Sequence, residues 1–399
     1  MSTSNSAADP IVIVSVARTP MGNMMGELFP LEAYQLGSVA IKAAVERARI
    51  EPEAVDEVFM GNVLMAGQGQ APARQASLGA GLPKSAGCVT VHKVCGSGMK
   101  TIMFAHDTIL GGTADVIVAG GMESMSNAPY LLKKARGGYR YGTDKVYDHM
   151  ALDGLEDAYE RGTAMGVFAE RTVEKYGFTR KQQDDFAIES LRRASAATEN
   201  GSFKFEMAPV TVHTRKGDVL VDKDEGPLKA RPEKIPGLKP AFKKDGTVTA
   251  ASSASISDGA AALVLMRLSN ARQRGLKPLA RIVAHAQHAR APAEFTMAPV
   301  GAINKVLERS GWKVGDVDLW EVNEAFACVT LVAIKDCGLD PAKVNIYGGA
   351  CALGHPIGCS GARLVCTLIG ALHNTGGKRG VASLCIGGGE ATALAIEML

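Results

Sequence analysis

The sequence is poor in most of the features that would assign it to a specialised class. Its eight cysteines include no Cys-x-x-Cys pair and no compact even-numbered framework, so free thiols in a reducing compartment are expected rather than a disulfide scaffold. Charge of one sign is scarce: 44 Lys and Arg face 41 Asp and Glu, a net charge of +3, with no long basic block and no aromatic interleaving. Nucleic acid is therefore not an expected partner, while small anionic ligands stay open. No apolar run reaches membrane-spanning length, and "MSTSNSAADP" at the start has neither a basic region leading into an apolar one nor an arginine-rich character. No membrane partner is expected, and the cytoplasm is the simplest address. The glycine runs "GGMES" and "GGGEAT" lack both the GxxxxGK[ST] and the GxGxxG spacing, which sets nucleotide-binding folds aside.

What is present is globular: 46% apolar residues against 21% charged, with 45 glycines against 11 phenylalanines, a sign of many tight backbone turns. At 399 residues the chain exceeds the size at which one core keeps growing, so two or three subdomains are expected. "IVIVSVA", residues 11–17, reads as a strand covered on both faces. Residues 32–49 carry helical spacing of Ala33, Leu36, Val39, Ala40, Ala43 and Ala44, leaving Lys42, Glu46 and Arg47 for water. "VDEVFMGNVL" is the next strand, residues 97–110 form a helix, and "ADVIVAGG" returns as a strand. This alternation predicts a layered α/β fold. From about residue 124 to 248 the charge rises, tyrosines cluster in "GGYRYGTDKVYDHM", and proline and glycine interrupt the pattern, so this segment reads as an insertion. It contains a predicted helix over 180–199, stopped by Asn-Gly. The second half then repeats the first in outline. "SGMKTIMFAHDTILGGTADVIVAGG" and "SGARLVCTLIGALHNTGGKRGVASLCIGGG" both run from Ser-Gly through an apolar helix and a glycine turn into a strand, which implies two related halves whose loops meet at one pocket.

Four segments hold the candidate chemistry: Cys95 in "VCGSG", Asn323 in "VNEAFA", His355 in "GHPIG" and Cys385 in "CIGGG". Each sits beside glycine or at an element end, where loops carry function on a rigid scaffold. Singly they say little, since a free cysteine is more often a packing residue than a nucleophile. Together they form a pattern. If Gly96 to Met99 open a helix, its unpaired N–H groups favour a Cys95 thiolate, so the thiol pKa is expected to fall. His355 supplies a base, held out of regular helix by Pro356, and glycine-flanked amides supply oxyanion donors. Cys351, His355 and Cys359 are spaced four apart, but Gly354, Pro356 and Gly358 break the helix that would align them and no fourth ligand is near. No metal is expected there.

In this order the segments resemble the thiolase family, and within it the acetyl-CoA acetyltransferases. The likeness runs from "VSVARTP" and "ARQASLGAGLP" through "VCGSGMK", "AGGMESMSNAPY", "LKPAFKKDGTVTA" and "SDGAAALVLM" to "WEVNEAFA", "GGACALGHPIGCSGAR" and "LCIGGG". The resemblance implies two similar βαβαβ-type halves with five-stranded sheets in a layered αβαβα core. The first half is residues 1–123 with 249–276 and the second is 277–399; a loop domain inserted at 124–248 covers coenzyme A. It further implies a reversible Claisen condensation of two acetyl-CoA into acetoacetyl-CoA and CoA, through an acyl-enzyme and without a cofactor. Cys95 would carry the acyl group, His355 would take its proton, and Cys385 would move the proton of the second substrate's methyl group. Asn323 and His355 would stabilise the enolate oxygen, and the amides of Cys95 and Gly387 would form the other oxyanion hole.

Met165, Phe295 and Phe326 match the acyl-contacting positions and imply short acyl groups. Ala254 and Ser255 stand where the family meets the pantetheine, with Ala254 in place of the usual serine and Ala164 in place of a common histidine. Lys229, Arg231 and Lys234 would meet the nucleotide end of coenzyme A. Pro227 replaces a tyrosine of a potassium site found in some relatives, so no such activation is expected. His92 stands where asparagine is common and is assigned to structure. A homodimer or homotetramer is implied. A longer-chain 3-ketoacyl-CoA thiolase is the alternative enzyme, and an inactive acyl-CoA-binding subunit the alternative of another class.

Overall fold

A computed structural model describes residues 9–399; of the N-terminal stretch read above for targeting, residues 1–8 lie outside the described residues. The first half builds β1 (Ile11–Arg18), α1 (Ala33–Ala48), β2 (Glu57–Gly61), α2 (Pro72–Gly79), β3 (Gly87–Val91), α3 (Ser97–Gly111) and β4 (Val116–Ser124). The long segment that follows carries α4 (Met165–Tyr176) and α5 (Arg180–Glu199), and the sheet resumes with β5 (Ser257–Arg267). The second half repeats the order: β6 (Ala280–Ala289), α6 (Ala298–Ser310), β7 (Leu319–Val322), α7 (Ala327–Cys337), α8 (Ser360–Thr375), β8 (Arg379–Ile386) and β9 (Glu390–Met398). Every residue of β1 and β4 is buried, as their unbroken apolar and small-residue runs require of strands covered on both faces.

The strand order is β7-β8-β9-β6-β1-β5-β4-β2-β3. The two halves are thus joined edge to edge, through a short antiparallel contact of Val12 with Arg281 and Ile13 with Ala280. One expectation changes: the second half has four regular strands, and where the first half has β3 there is only a parallel bridge of Trp320 with Val344. The cause is Asn345, whose backbone turns left-handed at φ +48°. Its side chain then replaces the ladder, taking Val322 N–H on Oδ1 at 2.8 Å and donating from Nδ2 to Val322 O at 2.8 Å. Asn is among the few residues that tolerate this conformation.

Helices α1 and α2 cover one outer face and α6 and α7 the other, while α3 and α8 share the central core through Met99, Ile102, Met103, Leu364, Val365 and Leu368. Small residues let α3 and α8 approach. A Cβ on Gly361 would lie 2.3 Å from Met99 N, and one on Gly98 would lie 2.8 Å from Ala362 N, backbone atoms that cannot yield. This close crossing brings the N-terminal ends of the two equivalent helices together. Helix α5 begins at a Thr179/Gln182 capping box and ends at Asn200 followed by Gly201 at φ +79°. Arg18, wholly buried at the end of β1, ties down the long segment between β4 and β5 through ion pairs to Glu206 at 2.5 Å and Asp224 at 2.6 Å. Loss of one partner of such a network leaves an uncompensated buried charge, at about 3–5 kcal/mol.

Candidate active site

Cys95 lies in the turn between β3 and α3. The residue before it, Val94, is held at φ +46°, a rare position for a β-branched side chain and a sign of stored strain of about 1–3 kcal/mol. Its surroundings enforce it: Val94 N–H donates to His92 Nδ1 at 3.3 Å, while Ser97 Oγ donates to Val94 O at 2.7 Å and accepts from Lys93 N–H at 2.8 Å. The amides of Gly96 and Ser97 bond Lys93 O and Val94 O. They are therefore spent on the turn and do not point at the sulfur. The amides that do reach the sulfur are that of Gly387, from the loop after β8, and that of Cys95 itself. Burial pushes the Cys95 thiol up to about 11, against the helping pull of these two amides, and the Glu123 carboxylate adds to the rise. This reverses the expected fall, because desolvation outweighs a helix end whose N–H groups face elsewhere.

His355 is positioned from both sides. Gly354, at φ +102°, lets the chain turn inward so that His355 N–H bonds Ser255 O at 3.1 Å. The ring Nδ1 meets Ser360 Oγ at 2.5 Å, and that hydroxyl donates to Pro356 O at 2.9 Å. With its single proton on the carbonyl, Ser360 accepts from Nδ1–H, and Nε2 is left as the lone pair. Burial lowers the His355 pKa to about 3, with the Arg363 cation as the further cause, so the resting ring is neutral. Buried Asn323 follows β7, hung from Ser383 O through its own N–H at 3.0 Å. Its Nδ2 stands 3.4 Å from His355 Nε2, and its Oδ1 has no protein partner.

Two buried carboxylates brace these loops. Glu123 accepts Val63 N–H, Leu64 N–H and Gly358 N–H at 2.8–3.0 Å and Asn62 Nδ2 at 2.7 Å, which pins the loop after His355 to the first half. Glu324 accepts Ser190 Oγ at 2.7 Å, Asn345 Nδ2 at 2.9 Å and Cys351 N–H at 3.1 Å, tying the Asn323 loop to α5. Burial raises Glu123 to about 7 despite its donors.

Cys95, His355 and Gly387 line one cavity together with Met165, Ala254, Ser255, Phe295 and Phe326. Cys385, one residue from the end of β8, is fully buried beside Phe295 and Phe326; burial, and then its nearness to Cys95, push its thiol well up. A second, wider cavity shares Ser255 with the first and is lined by Lys229, Arg231 and Lys234. Lys229 there is already paired with buried Glu225. Arg231 and Lys234 make no ion pair among the described residues. The sequence-predicted positions are thus gathered around two cavities that share Ser255, with Asn323 buried behind His355 and Cys385 buried behind Phe295 and Phe326. Ala164 is the N-cap of α4 and makes no side-chain cap bond.

Family models place a "Thiolase, N-terminal domain" over residues 11–269 and a "Thiolase, C-terminal domain" over residues 276–398. The chain belongs to the thiolase family. It is 52% identical to acetyl-CoA acetyltransferase 2 of Arabidopsis thaliana over 392 residues, covering 98% of this chain and 97% of the relative. The acetyl-CoA acetyltransferase of Cupriavidus necator is 47% identical over 97% of this chain and 99% of its own. Among solved structures, the Acat5 thiolase from Ascaris suum in complex with coenzyme A superposes with a TM-score of 0.93 at 44% identity, over 98% of this chain and 100% of the other. The Bacillus anthracis acetyl-CoA acetyltransferase does so at 0.95 and 41%, over 98% and 99%.

Sequence reasoning missed Ser360, Glu123 and Glu324 in this thiolase. A signal for Ser360 existed: it is the counterpart of Ser97 in the repeated Ser-Gly helix starts, and each serine hydroxyl bonds a carbonyl of the turn before its helix. Nothing local marks the two glutamates, whose partners come from distant segments.

Proposed function

We propose that this thiolase is an acetyl-CoA acetyltransferase that joins two acetyl-CoA into acetoacetyl-CoA and CoA, and runs in reverse as a thiolase of short 3-ketoacyl-CoA. The observation carrying this reading is the shared cavity: one thiol, one neutral imidazole and one inward amide open onto it, with a second thiol buried near the first, in a chain about half identical to acetyl-CoA acetyltransferases along their full length.

Cys95 gives its proton to His355 Nε2 as sulfur attacks the acetyl carbonyl; the S–C bond to Cys95 forms, the bond to coenzyme A breaks, and coenzyme A leaves with the proton of Cys385, which becomes a thiolate. The resulting imidazolium is favoured by the Ser360 hydroxyl, which accepts from Nδ1–H. Oxyanion charge falls on the amides of Cys95 and Gly387. A second acetyl-CoA then enters, Cys385 as thiolate removes a methyl proton, and His355 with Asn323 holds the enolate oxygen. The carbanion attacks the acetyl carbon on Cys95, forming the C–C bond and breaking the S–C bond, and the proton held on His355 returns to the released Cys95 thiolate, while Cys385 keeps the methyl proton and is again a thiol. A raised thiol pKa suits Cys385, because only a strongly basic thiolate removes a proton α to a thioester.

The bulk of Met165, Phe295 and Phe326 around Cys95 supports short acyl groups, and free Arg231 and Lys234 at the outer cavity support a phosphate-bearing substrate end. Residues 124–248 are assigned as the loop domain covering it, between the two pieces of the first half. No cofactor is assigned. The cytoplasmic address and an assembly of two or four chains belong to the same proposal; among the relatives, one Gibberella zeae enzyme is named cytosolic and one from Bos taurus mitochondrial. Intact-mass trapping tests the roles: Cys95→Ala must lose the acyl-enzyme, and Cys385→Ala must keep it while losing condensation. Equal condensation by both variants and the parent overturns the assignment. Thiolysis rates over a chain-length series, including a 2-methyl-branched substrate, test the acyl preference.

A further inference from the structure

Away from this site, two successive residues of α3 meet one residue of β6. His106 Nδ1 lies 3.0 Å from Asp107 Oδ1, His285 Nε2 lies 2.9 Å from the same oxygen, and the two ring nitrogens are 3.3 Å apart. Among the described residues this is the only group of three such side chains whose ligand atoms converge within 4.8 Å. An ion bound at about 2.0–2.1 Å separates its ligand atoms by about 3.3 Å in tetrahedral and about 2.9 Å in octahedral geometry, so the triangle has the dimensions of one coordination face.

Hydrogen bonding alone satisfies the cluster poorly. Asp107 Oδ1 is the one acceptor facing two imidazoles, and the far nitrogen of His285, Nδ1, is buried with no partner among the described residues. Asp107 is exposed, which gives an entry path and open positions for water. Two imidazoles and one carboxylate select a borderline ion over magnesium or calcium. Lys100, which feels Asp107, and Arg309, which donates to His285 O at 2.7 Å, keep the local field from being strongly negative.

We propose that His106, Asp107 and His285 bind one divalent transition-metal ion of the zinc class, with water completing its shell. The ion would clamp α3, which follows the Cys95 turn, to β6 of the other half. The experiment is zinc titration of full-length, chelator-stripped protein against a chromophoric chelator, with cobalt(II) absorption as a second readout. One zinc per chain is expected in the parent and in Cys95→Ala, with binding weakened about tenfold or more in both Asp107→Asn and His285→Ala. Zinc should also raise the thermal midpoint of the parent and leave that of His285→Ala unchanged. Because Asp107 is exposed, Asp107→Asn keeps the fold intact and separates lost binding from misfolding. Parent affinity in both variants, no zinc uptake by the parent, or uptake abolished by Cys95→Ala each overturns the site.

Discussion

The resting state of Cys95 can be read directly from how its alkylation depends on pH. A thiol held at about 11 is ionised to about one part in a thousand at pH 8 and about one part in ten at pH 10. Its reaction with iodoacetamide should therefore accelerate about a hundredfold between these pH values. An ordinary cysteine, with a pKa of about 8.5, would gain only about fourfold over the same interval. A thiolate stabilised by a helix end would gain almost nothing, being already ionised. The assay is a timed alkylation series, quenched and read by peptide mass spectrometry so that Cys95 is followed separately from the other seven cysteines. Cys88, at the sheet edge, serves as the internal reference. Because the folded state favours the neutral thiol, the sign is fixed: reactivity rises with pH and does not level off before about pH 10. A plateau for Cys95 by pH 8 would refute the argument that burial outweighs the helix end, and with it the need for His355 as base in the first step.

Further consequences can be measured independently. Ser360→Ala removes the acceptor of Nδ1–H and should slow acyl-enzyme formation about ten- to hundredfold in stopped-flow bursts, whereas Ser360→Thr, which keeps the hydroxyl, should restore most of it. Gly361→Ala drives a Cβ into the α3 backbone and should lower stability by about 1–3 kcal/mol in urea unfolding, with Gly98→Ala close behind. Neutralising Arg231 and Lys234 should raise the KM for acetyl-CoA about three- to fivefold per charge, while the KM for acetyl-pantetheine, which lacks the nucleotide, stays at the parent value. An equal effect on both substrates would show that the two cations support the loop and not the nucleotide.

Much of the fold was legible along the chain. The helix expected over 32–49 is Ala33–Ala48, and that over 180–199 is Arg180–Glu199, because each is set by apolar spacing and end signals within one segment. The repeat of Ser-Gly, helix, glycine turn and strand corresponds to α3–β4 and α8–β8, and the four glycine-flanked motifs do converge on one cavity. What stayed hidden depends on neighbours far away in sequence. The missing edge strand of the second half follows from one left-handed Asn345 that bonds Val322, and the His106–Asp107–His285 triangle spans both halves.

The sequence by itself determined which chemical groups the protein owns, in what order, and on which kinds of element, since propensity and periodicity act over a few neighbouring residues. Only the tertiary structure decided their protonation and aim: Cys95 neutral, His355 an unprotonated base turned by Ser360, Glu123 a brace. The physical reason is that desolvation and hydrogen bonding act through space, on whatever atoms the packing of α3 against α8 brings within a few ångströms.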